Sequence, residues 1–561
     1  MRPLVECVPN FSEGRNEKVI NAIADAIKSV SGVKLLDVDP GFSTNRTVVT
    51  LVGSPDEVVE AAFQGIARAG QLIDMRQHHG EHPRMGATDV CPFVPVSGLS
   101  MEDCVKLARI LGERVGRELG IPVYLYSEAA TRPERRSLAD IRQGEYEALS
   151  EKMKGSDFKP DFGPETFNAL SGATVIGARP FLIAYNVNLN TRSKKLANEI
   201  ALNIREAGRA RRNAQGEIDK DAAGQKIMVP GALKEVRAVG WYVDEYKRAQ
   251  VSINLTNFEV TSMHTAFDQV CKEAQKLGLR VTGSEIVGLV PLKAMLDAGR
   301  HYLQLQGRSR GVSEADLVET AAQSLGLSDL SPFVATEKII DYRVEASAPM
   351  LRNLTLGQFV DELASDSAAP GGGSAAALCA SLSASLSTMV ANLTFDKKGF
   401  EASRPAMDAL AARGQELKKT LLGIVDLDMQ AFNSILDARR LPKGSAAEKE
   451  GREAAIEAAN KQATEVPLLL LKSVPELLAM ADQVVEAGNP NSLSDSGVAA
   501  LTALAAAEGA FYNVLINLQA FGNEGAAGQY KSETGALALS TMEAVRVQAE
   551  AIRRKVLERL R

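Results

Sequence analysis

Glu345-Ala346-Ser347-Ala348-Pro349-Met350-Leu351-Arg352-Asn353 is the stretch at which this chain changes character. Upstream, β-branched runs alternate with amphipathic segments. Downstream, Ala, Leu, Ser and Glu dominate and no strand pattern persists. Small residues leading into a proline discourage a continuous helix. The stretch therefore reads as a linker over 343–355, and 356–561 reads as an all-α helical-bundle domain. Two architectures on one chain make two activities a serious expectation.

Working outward toward the N-terminus, Leu4–Pro9 reads as a buried strand that ends in the polar turn Asn10-Phe11-Ser12-Glu13-Gly14. Val19–Ile27 has helical spacing, and Val33–Val38 and Arg46–Val52 read as strands. Pro55–Ala69 reads as a helix capped by Ser54, and Val123-Tyr124-Leu125-Tyr126 offers a later strand. The pattern recurs in strands at Phe181–Leu189, Val236–Tyr242 and Gln250–Asn254, with helices at Ser193–Glu206 and His264–Leu277 and a strand starting at Val281. The expected fold class is an α+β N-terminal half of two β-α-β-β-α-β-like subdomains, 1–180 and 181–342, with a cleft between them, followed by the helical bundle. Gly208–Lys234 reads as a polar surface insertion.

The composition narrows the function class. Among 561 residues, 45% are hydrophobic, 24% are charged and the net charge is −6, an ordinary globular balance without the basic footprint of a nucleic-acid binder. Arg2, Pro3 and Glu6 interrupt any apolar leader at the start. The longest apolar run, Gly497–Leu518, is broken by Glu508, Asn513 and Asn517, so no membrane span is expected. Cys7, Cys91, Cys104, Cys271 and Cys379 are scattered and odd in number, which reads as reduced packing thiols of a cytoplasmic protein.

Three of the five histidines lie in His78-His79-Gly80-Glu81-His82-Pro83-Arg84-Met85. His78 and His82 have the i, i+4 spacing of a helical zinc pair, but Gly80 and Pro83 break the helix such a pair needs. A polar loop without a role and a loop doing acid–base work both remain readings. Sequence does not choose among the three rings; Pro83 and Arg84 favour His82, because they stiffen the backbone and offer a cation to an anionic substrate. In the helical part, Ala369-Pro370-Gly371-Gly372-Gly373-Ser374 opens a helix without the lysine of a P-loop. A tight interhelix turn and a site for a carboxylate or polar ring edge are its two readings. Leu421, Val425, Phe432 and Ile435 trace an apolar helical stripe that contains Asp428, while Asp426 lies about 200° away. Asp428 is then either paired or held with a raised pKa for proton transfer. Gly488-Asn489-Pro490-Asn491-Ser492 precedes another helix, as a cap or with Asn489 as a ligand contact.

Several of these runs form a recognisable set. Val5–Gly14, Ser43-Thr44-Asn45-Arg46-Thr47, His78–Gly86, Pro122–Tyr126, Asp161-Phe162-Gly163-Pro164 and Gly172-Ala173-Thr174 resemble glutamate formimidoyltransferases. Ala369–Ser374, Met389–Thr394, Val425–Asp428 and Phe511–Leu518 resemble formimidoyltetrahydrofolate cyclodeaminases, a type shared with methenyltetrahydrofolate cyclohydrolases. Nearly the whole chain resembles the formimidoyltransferase-cyclodeaminase family.

The resemblance implies a bifunctional enzyme of histidine degradation, with His82 as the acid–base residue of the transferase and Asp428 as the active-site residue of the cyclodeaminase. It implies a folate site along Gly163, Pro164, Glu165, Thr166, Phe167, Asn168, Ala169, Leu170, Ser171 and Gly172. Gly371, Gly372, Gly373, Ser374 and Asn489 are the folate-binding candidates of the helical part. Animal members carry Trp where this chain has Ser171, so the resemblance does not extend to pterin stacking there. Arg46 and Arg84 are candidates for substrate carboxylates, and Asp37 or Asp39 for orienting His82. The implied cosubstrate is tetrahydrofolate, free or polyglutamylated, with N-formimino-L-glutamate as donor. No metal, nucleic acid or membrane is implied, and the helical domain is expected to form a homo-oligomer. Two alternatives stand: a cyclohydrolase in the helical part, or a folate-binding protein with decayed sites.

Overall fold

The computed structural model describes residues 3–561 apart from Ser43, Glu81, Ala214, Ala222, Ala223, 346–349 and Ala368. Glu81 of the histidine run and Ala346-Ser347-Ala348-Pro349 of the linker stretch thus lie outside the described residues. The chain forms two compact units: Met1–Ala298 with Ala321–Ser347, and Gly299–Thr320 with Ala348–Arg561.

The first unit opens with β1 (Leu4–Cys7), β2 (Asn10–Phe11), α1 (Glu17–Lys28), β3 (Lys34–Gly41), β4 (Arg46–Gly53), α2 (Pro55–Leu72), β5 (Thr88–Ser97) and α3 (Met101–Arg114). It continues through β6 (Val123–Ser127), the short α4 (Leu138–Ile141) and α5 (Glu145–Lys152), and β7 (Thr174–Ala178). These seven strands make one sheet in which β3 flanks β4, β1 and β2 share the lane between β4 and β5, and β7 and β6 follow. Asn10-Phe11 is therefore not a turn: Asn10 pairs with Val48 on one side and Val90 on the other. Alternation along β4 sends Thr47, Val49 and Leu51 into the core beneath α1–α3, where they are at most 1% exposed. Arg46, Val48 and Thr50 consequently face the opposite side. Helix α2 starts at Ser54, whose N–H donates to Glu57 Oε2 at 3.1 Å.

A second sheet of the same unit comes from β8 (Ile183–Leu189), α6 (Lys194–Ile204), the paired short strands β9 (Arg209–Ala210) and β10 (Met228–Val229), β11 (Val236–Val243), β12 (Arg248–Leu255), α7 (Met263–Lys276) and β13 (Val281–Val287). Its strand order is β11-β12-β8-β13, antiparallel throughout. Tyr185, Val187 and Leu189 are fully buried on one face, and alternation puts Asn186 and Asn188 on the other. Helices α8 (Leu292–Leu305), α9 (Glu314–Ser324), α10 (Ala335–Lys338) and α11 (Ile340–Glu345) complete the N-terminal half. Gly299–Thr320 clusters with the helical unit, although it precedes the linker stretch in sequence: Arg310 Nε donates to Asp408 Oδ2 at 2.8 Å and Ser309 Oγ to Asn392 Oδ1 at 2.7 Å.

The second unit is otherwise helical: α12 (Leu356–Leu363), α13 (Gly372–Phe395), α14 (Arg404–Arg440), α15 (Ala446–Ala487), α16 (Leu493–Leu518) and α17 (Gly525–Leu560). Alanine sets the spacing. Ala377, Ala380 and Ala384 of α13 and Ala499, Ala503, Ala506, Ala507 and Ala510 of α16 are all 0% exposed and let backbones approach closely. Two segments, Gly372–Phe395 and Pro490–Leu518, are long and apolar enough to cross a bilayer by length and composition, contrary to the reading from apolar runs alone. Their small apolar residues are spent on the bundle core.

Candidate active sites

Residues 73–87 connect α2 to β5 and carry the histidine run. The connection is stitched to the 163–172 segment: Met75 N–H donates to Leu170 O at 2.9 Å, Ala87 N–H to Ser171 O at 2.8 Å, and Ala173 N–H to Met85 O at 3.1 Å. Gly172 makes this possible. Its φ is +67°, and a Cβ there would lie 2.2 Å from Met85 O, so no other residue fits without moving the backbone. Within the segment, Asn168 Oδ1 accepts from Leu170 and Ser171 N–H at 3.1 and 3.0 Å. Tyr146 donates to Ala169 O at 2.6 Å, and Glu165 pairs with Lys159. The structure thus brings 168–172 against the histidine loop.

The geometry separates the three histidines. His78 is buried; its Nε2–H donates to Asn45 O at 2.8 Å and its Nδ1 accepts from Arg84 Nε at 3.3 Å, so both nitrogens are engaged and the ring is neutral. His79 is exposed. His82 is partly buried; its Nδ1 lies 2.7 Å from Pro83 O, and Arg46 Nη1 sits against both ring nitrogens, 2.7 Å from Nδ1 and 2.5 Å from Nε2. Donation from Nδ1–H to that carbonyl leaves Nε2 with the lone pair. Burial first, and the Arg46 guanidinium second, hold the His82 pKa below its ordinary value. Arg46 is itself lowered to about 10 by burial, so it is cationic at neutral pH. Its Nη2 donates to Asn10 Oδ1, and its buried Nε has no partner among the described residues. Among the described residues, no three His, Cys, Asp or Glu side chains converge in the manner of a metal site.

The other N-terminal candidates are placed differently from one another. Arg84 is committed: Nη1 reaches Glu145 and Glu147 at 2.8 Å each, Nη2 reaches Glu147 at 2.6 Å and His78 O at 3.1 Å. Those bonds exhaust the fork that a substrate carboxylate would need. Asp39 does not hydrogen-bond His82 either. It lines a cavity of about 450 Å³ together with Asp37, Lys338 and residues of the second sheet. Burial, and then the neighbouring Asp37 charge, raise its pKa.

In the helical unit, α13 begins where the glycine run meets Asp428 of α14. A Cβ on Gly373 would stand 2.1 Å from Asp428 Oδ1, so only glycine lets the carboxylate sit against the helix N-terminus. Ser374 Oγ donates to Asp428 Oδ2 at 2.8 Å. Burial raises the Asp428 pKa, and the Ser374 hydrogen bonds oppose the rise. Gly371 forms the N-cap, and Gly372 lies beside the Asn513 amide. The apolar stripe is incomplete: Leu421 and Val425 are buried, whereas Phe432 is 39% exposed. Asp426 is the more sealed of the two carboxylates at 3% exposure, and it faces Arg352 at 3.5 Å. Asn489 is not brought to Asp428. Its N–H donates to Thr394 and its Oδ1 accepts from Lys397, at the other end of α13, about 30 Å away at the helical rise.

Family models match the chain along its length: "Formiminotransferase domain, N-terminal subdomain" over residues 4–179, "Formiminotransferase domain" over 184–345 and "Formiminotransferase-cyclodeaminase" over 355–536. The formimidoyltransferase-cyclodeaminase of Rattus norvegicus is 47% identical over 521 residues, covering 92% of this chain and 93% of the rat protein. This chain belongs to the formimidoyltransferase-cyclodeaminase family. Single-activity relatives match its parts. A glutamate formimidoyltransferase of Thermoplasma acidophilum is 48% identical over 310 residues, 55% of this chain and 95% of the relative. A methenyltetrahydrofolate cyclohydrolase of Methylorubrum extorquens is 39% identical over 168 residues, 30% of this chain and 81% of the relative.

Three features of this formimidoyltransferase-cyclodeaminase chain escaped the sequence reading. Asn10, hidden in an apparent turn, holds Arg46. Asp89, fully buried, binds Arg142 and accepts from Met85 N–H at 3.1 Å, which anchors the end of the histidine loop. The third is the second-sheet wall of the 450 Å³ cavity. A polar residue between apolar neighbours, as in Val8-Pro9-Asn10-Phe11, was the available signal for Asn10.

Proposed function

We propose that the chain runs two consecutive folate reactions: transfer of the formimino group of N-formimino-L-glutamate to N5 of tetrahydrofolate, then closure to 5,10-methenyltetrahydrofolate with loss of ammonia. The observation that carries the first step is the contact of the His82 ring with the Arg46 guanidinium. N5 attacks the amidine carbon. The neutral His82 ring takes the N5 proton and returns it to the glutamate nitrogen as the C–N bond breaks. The adjacent cation favours the neutral ring between turnovers, and Arg46, which has no carboxylate partner and whose Nε is unpaired among the described residues, is the cation for a substrate carboxylate that Arg84 is not. Transferase chemistry is assigned to 1–180 and 181–342, two subdomains with the cleft between them, and cyclodeaminase chemistry to 356–561 beyond the 343–355 linker.

In the second step N10 attacks the same carbon, the N10 proton passes to the former imine nitrogen, and the resulting amine leaves as the C–N bond breaks. Asp428, whose pKa burial raises against the opposing Ser374 hydrogen bonds, is the acid that supplies the proton making ammonia the leaving group. Gly371, Gly372, Gly373 and Ser374 form the wall against which the reacting carbon is held. Segment 163–172 lines the transferase's folate site, and polyglutamate tails are accepted. Exposed Leu382, Leu393, Leu501, Ile516 and Val547 on the helical unit support a homo-oligomer built through it. The five free thiols support a cytoplasmic setting.

The likeness to a cyclohydrolase favours one rival for the helical unit. Synthetic 5-formiminotetrahydrofolate supplied to the enzyme separates the two. The proposal expects ammonia in step with methenyltetrahydrofolate; a product formed only from 10-formyltetrahydrofolate, with no ammonia above background, would replace it with the cyclohydrolase.

A further inference from the structure

The face of the first sheet that carries Arg46 also carries a second arginine, which the two reaction steps above leave unused. Alternation along β5, β7 and β6 sends Cys91, Phe93, Ile176, Ala178, Val123 and Leu125 into the core beneath α1–α3. Val90, Gly177, Tyr124 and Tyr126 consequently lie on the Arg46 face. Arg179, one residue past β7, stays in line with the strand, because its N–H donates to Phe93 O at 3.1 Å. Asn10, which holds Arg46, is opposite Val90, and Val90 is opposite Val175. One row further on, Pro92, Gly177 and Tyr126 are in line, and Arg179 belongs to the row after that.

Tyr126 and Arg179 act as one unit. A Cβ on Gly177 would stand 2.4 Å from Tyr126 Cδ1 and 2.7 Å from Cε1, so only glycine lets the ring lie across β7. Arg179 donates to the Tyr126 hydroxyl, and its Nη1 donates to Pro180 O at 3.0 Å. Among the described residues Arg179 has no ion pair. Glu6, 3% exposed, feels its charge without reaching it, and burial raises the Glu6 pKa to about 7, so the charge of Arg179 is only partly offset near neutral pH. The remaining arginine nearby, Arg142, is taken by Asp89. Tyr126 feels both Arg142 and Arg179 and in turn acts on Arg46, which places its hydroxyl between the two uncommitted cations.

Two guanidiniums without carboxylates on one face of a sheet suit a dianion. N-formimino-L-glutamate is a dianion of this kind. Its α-carboxylate is attached to the carbon that bears the reacting nitrogen, so it falls at Arg46, which touches the His82 ring. Its γ-carboxylate lies two methylenes further out, about 5 Å from the first at ordinary bond lengths. The spacing of the sheet agrees. Four residues of β5 and two strand spacings put the backbones of Asn10 and Arg179 about 16 Å apart. The Arg179 side chain, reaching inward to Tyr126, reduces that to about 10 Å, within the span of two carboxylates with a hydrogen bond at each end.

Resting on the transferase reading above, we propose that Arg179, held over the sheet by Tyr126, is a second carboxylate seat of the transferase, and that it takes the γ-carboxylate of the formimino donor whose α-carboxylate lies at Arg46.

Donors that differ by one carboxylate test it. N-Formiminoglycine keeps the α-carboxylate and lacks the γ. Arg179→Gln should raise KM for formiminoglutamate about tenfold or more and leave KM for formiminoglycine and for tetrahydrofolate within about twofold of wild type, which also shows that the variant folds. Tyr126→Phe removes the hydroxyl that Arg179 grips and should raise the same KM alone, by less. Equal rises for both donors, no rise for either, or a rise for tetrahydrofolate only overturns the proposal; the last assigns Arg179 to the glutamate of the folate. Calorimetric binding to the unmodified chain needs neither turnover nor a variant. L-Glutamate should bind about tenfold or more tightly than L-2-aminobutyrate, which lacks only the γ-carboxylate, and equal affinities refute the second seat. A wild-type chain that prefers glutamate in this way but transfers nothing defeats the transferase reading alone.

Discussion

Replacing Arg46 with Met should move the acid limb of the transferase pH profile upward. The guanidinium Nη1 lies 2.5 Å from His82 Nε2. Two unit charges with centres about 4 Å apart in an effective dielectric of about 20 repel by about 4 kcal/mol. His82 is only partly buried and the guanidinium charge is spread over three nitrogens, so about 1–2 kcal/mol of that survives solvent screening, or about one pH unit. The sign follows from the base role: Arg46 lowers the His82 pKa, so the neutral ring persists to lower pH, and its removal brings protonation on earlier as pH falls. The assay is kcat/KM for formiminoglutamate at saturating tetrahydrofolate from about pH 5 to about pH 8.5, the range in which histidine titrates. Methionine keeps the aliphatic packing, so protein stability is little changed. A limb that stays in place, or moves to lower pH, refutes the electrostatic role of Arg46, whatever the drop in the plateau rate.

Asn10→Ala removes the acceptor that holds Arg46 and should shift the same limb in the same direction by a smaller amount; a uniform loss of rate without a shift would make Asn10 merely structural. Asp428→Asn should abolish ammonia release while formimino transfer continues, and cyclisation in the wild type should fall as pH rises through the raised Asp428 pKa. Asp426→Asn, which breaks a contact with Arg352, should lower Tm more than it lowers turnover; equal loss of activity from both variants would contradict the assignment. Gly373→Ala places a methyl where Asp428 Oδ1 sits and should reduce cyclisation by about tenfold or more, with the transferase intact.

The legible parts of the fold were those set by local pattern. β4 shows its alternation from Arg46 to Gly53, and Ser54-Pro55 with Glu57 announces α2. β5 did not show itself, because Pro92 and Pro95 demote the run Thr88–Ser97 to a non-strand by composition. The structure accommodates it as a central strand, with Pro95 opposite Val5 at a register shift. The site divides in the same way. Three histidines in five residues announce a reactive loop, but the choice among them depends on Asn45, Arg46 and Arg84, which reach the rings only through the β3–β4 hairpin and the packing of the loop. The apolar stripe drew attention to Asp428 for an incomplete reason: Phe432 is exposed, and the features that distinguish Asp428 from Asp426 are Gly373 and Ser374, 55 and 54 positions away. The cavity wall at Trp241 and Glu285 needs four strands in register and has no linear signature.

The most direct test of the whole account is stoichiometry. With formiminoglutamate and tetrahydrofolate as the only substrates, methenyltetrahydrofolate absorbance, glutamate and ammonia are followed in one reaction. Two consecutive activities on this chain predict equimolar appearance of all three. Glutamate release without ammonia would leave only a transferase, and neither product would contradict the account from its first step.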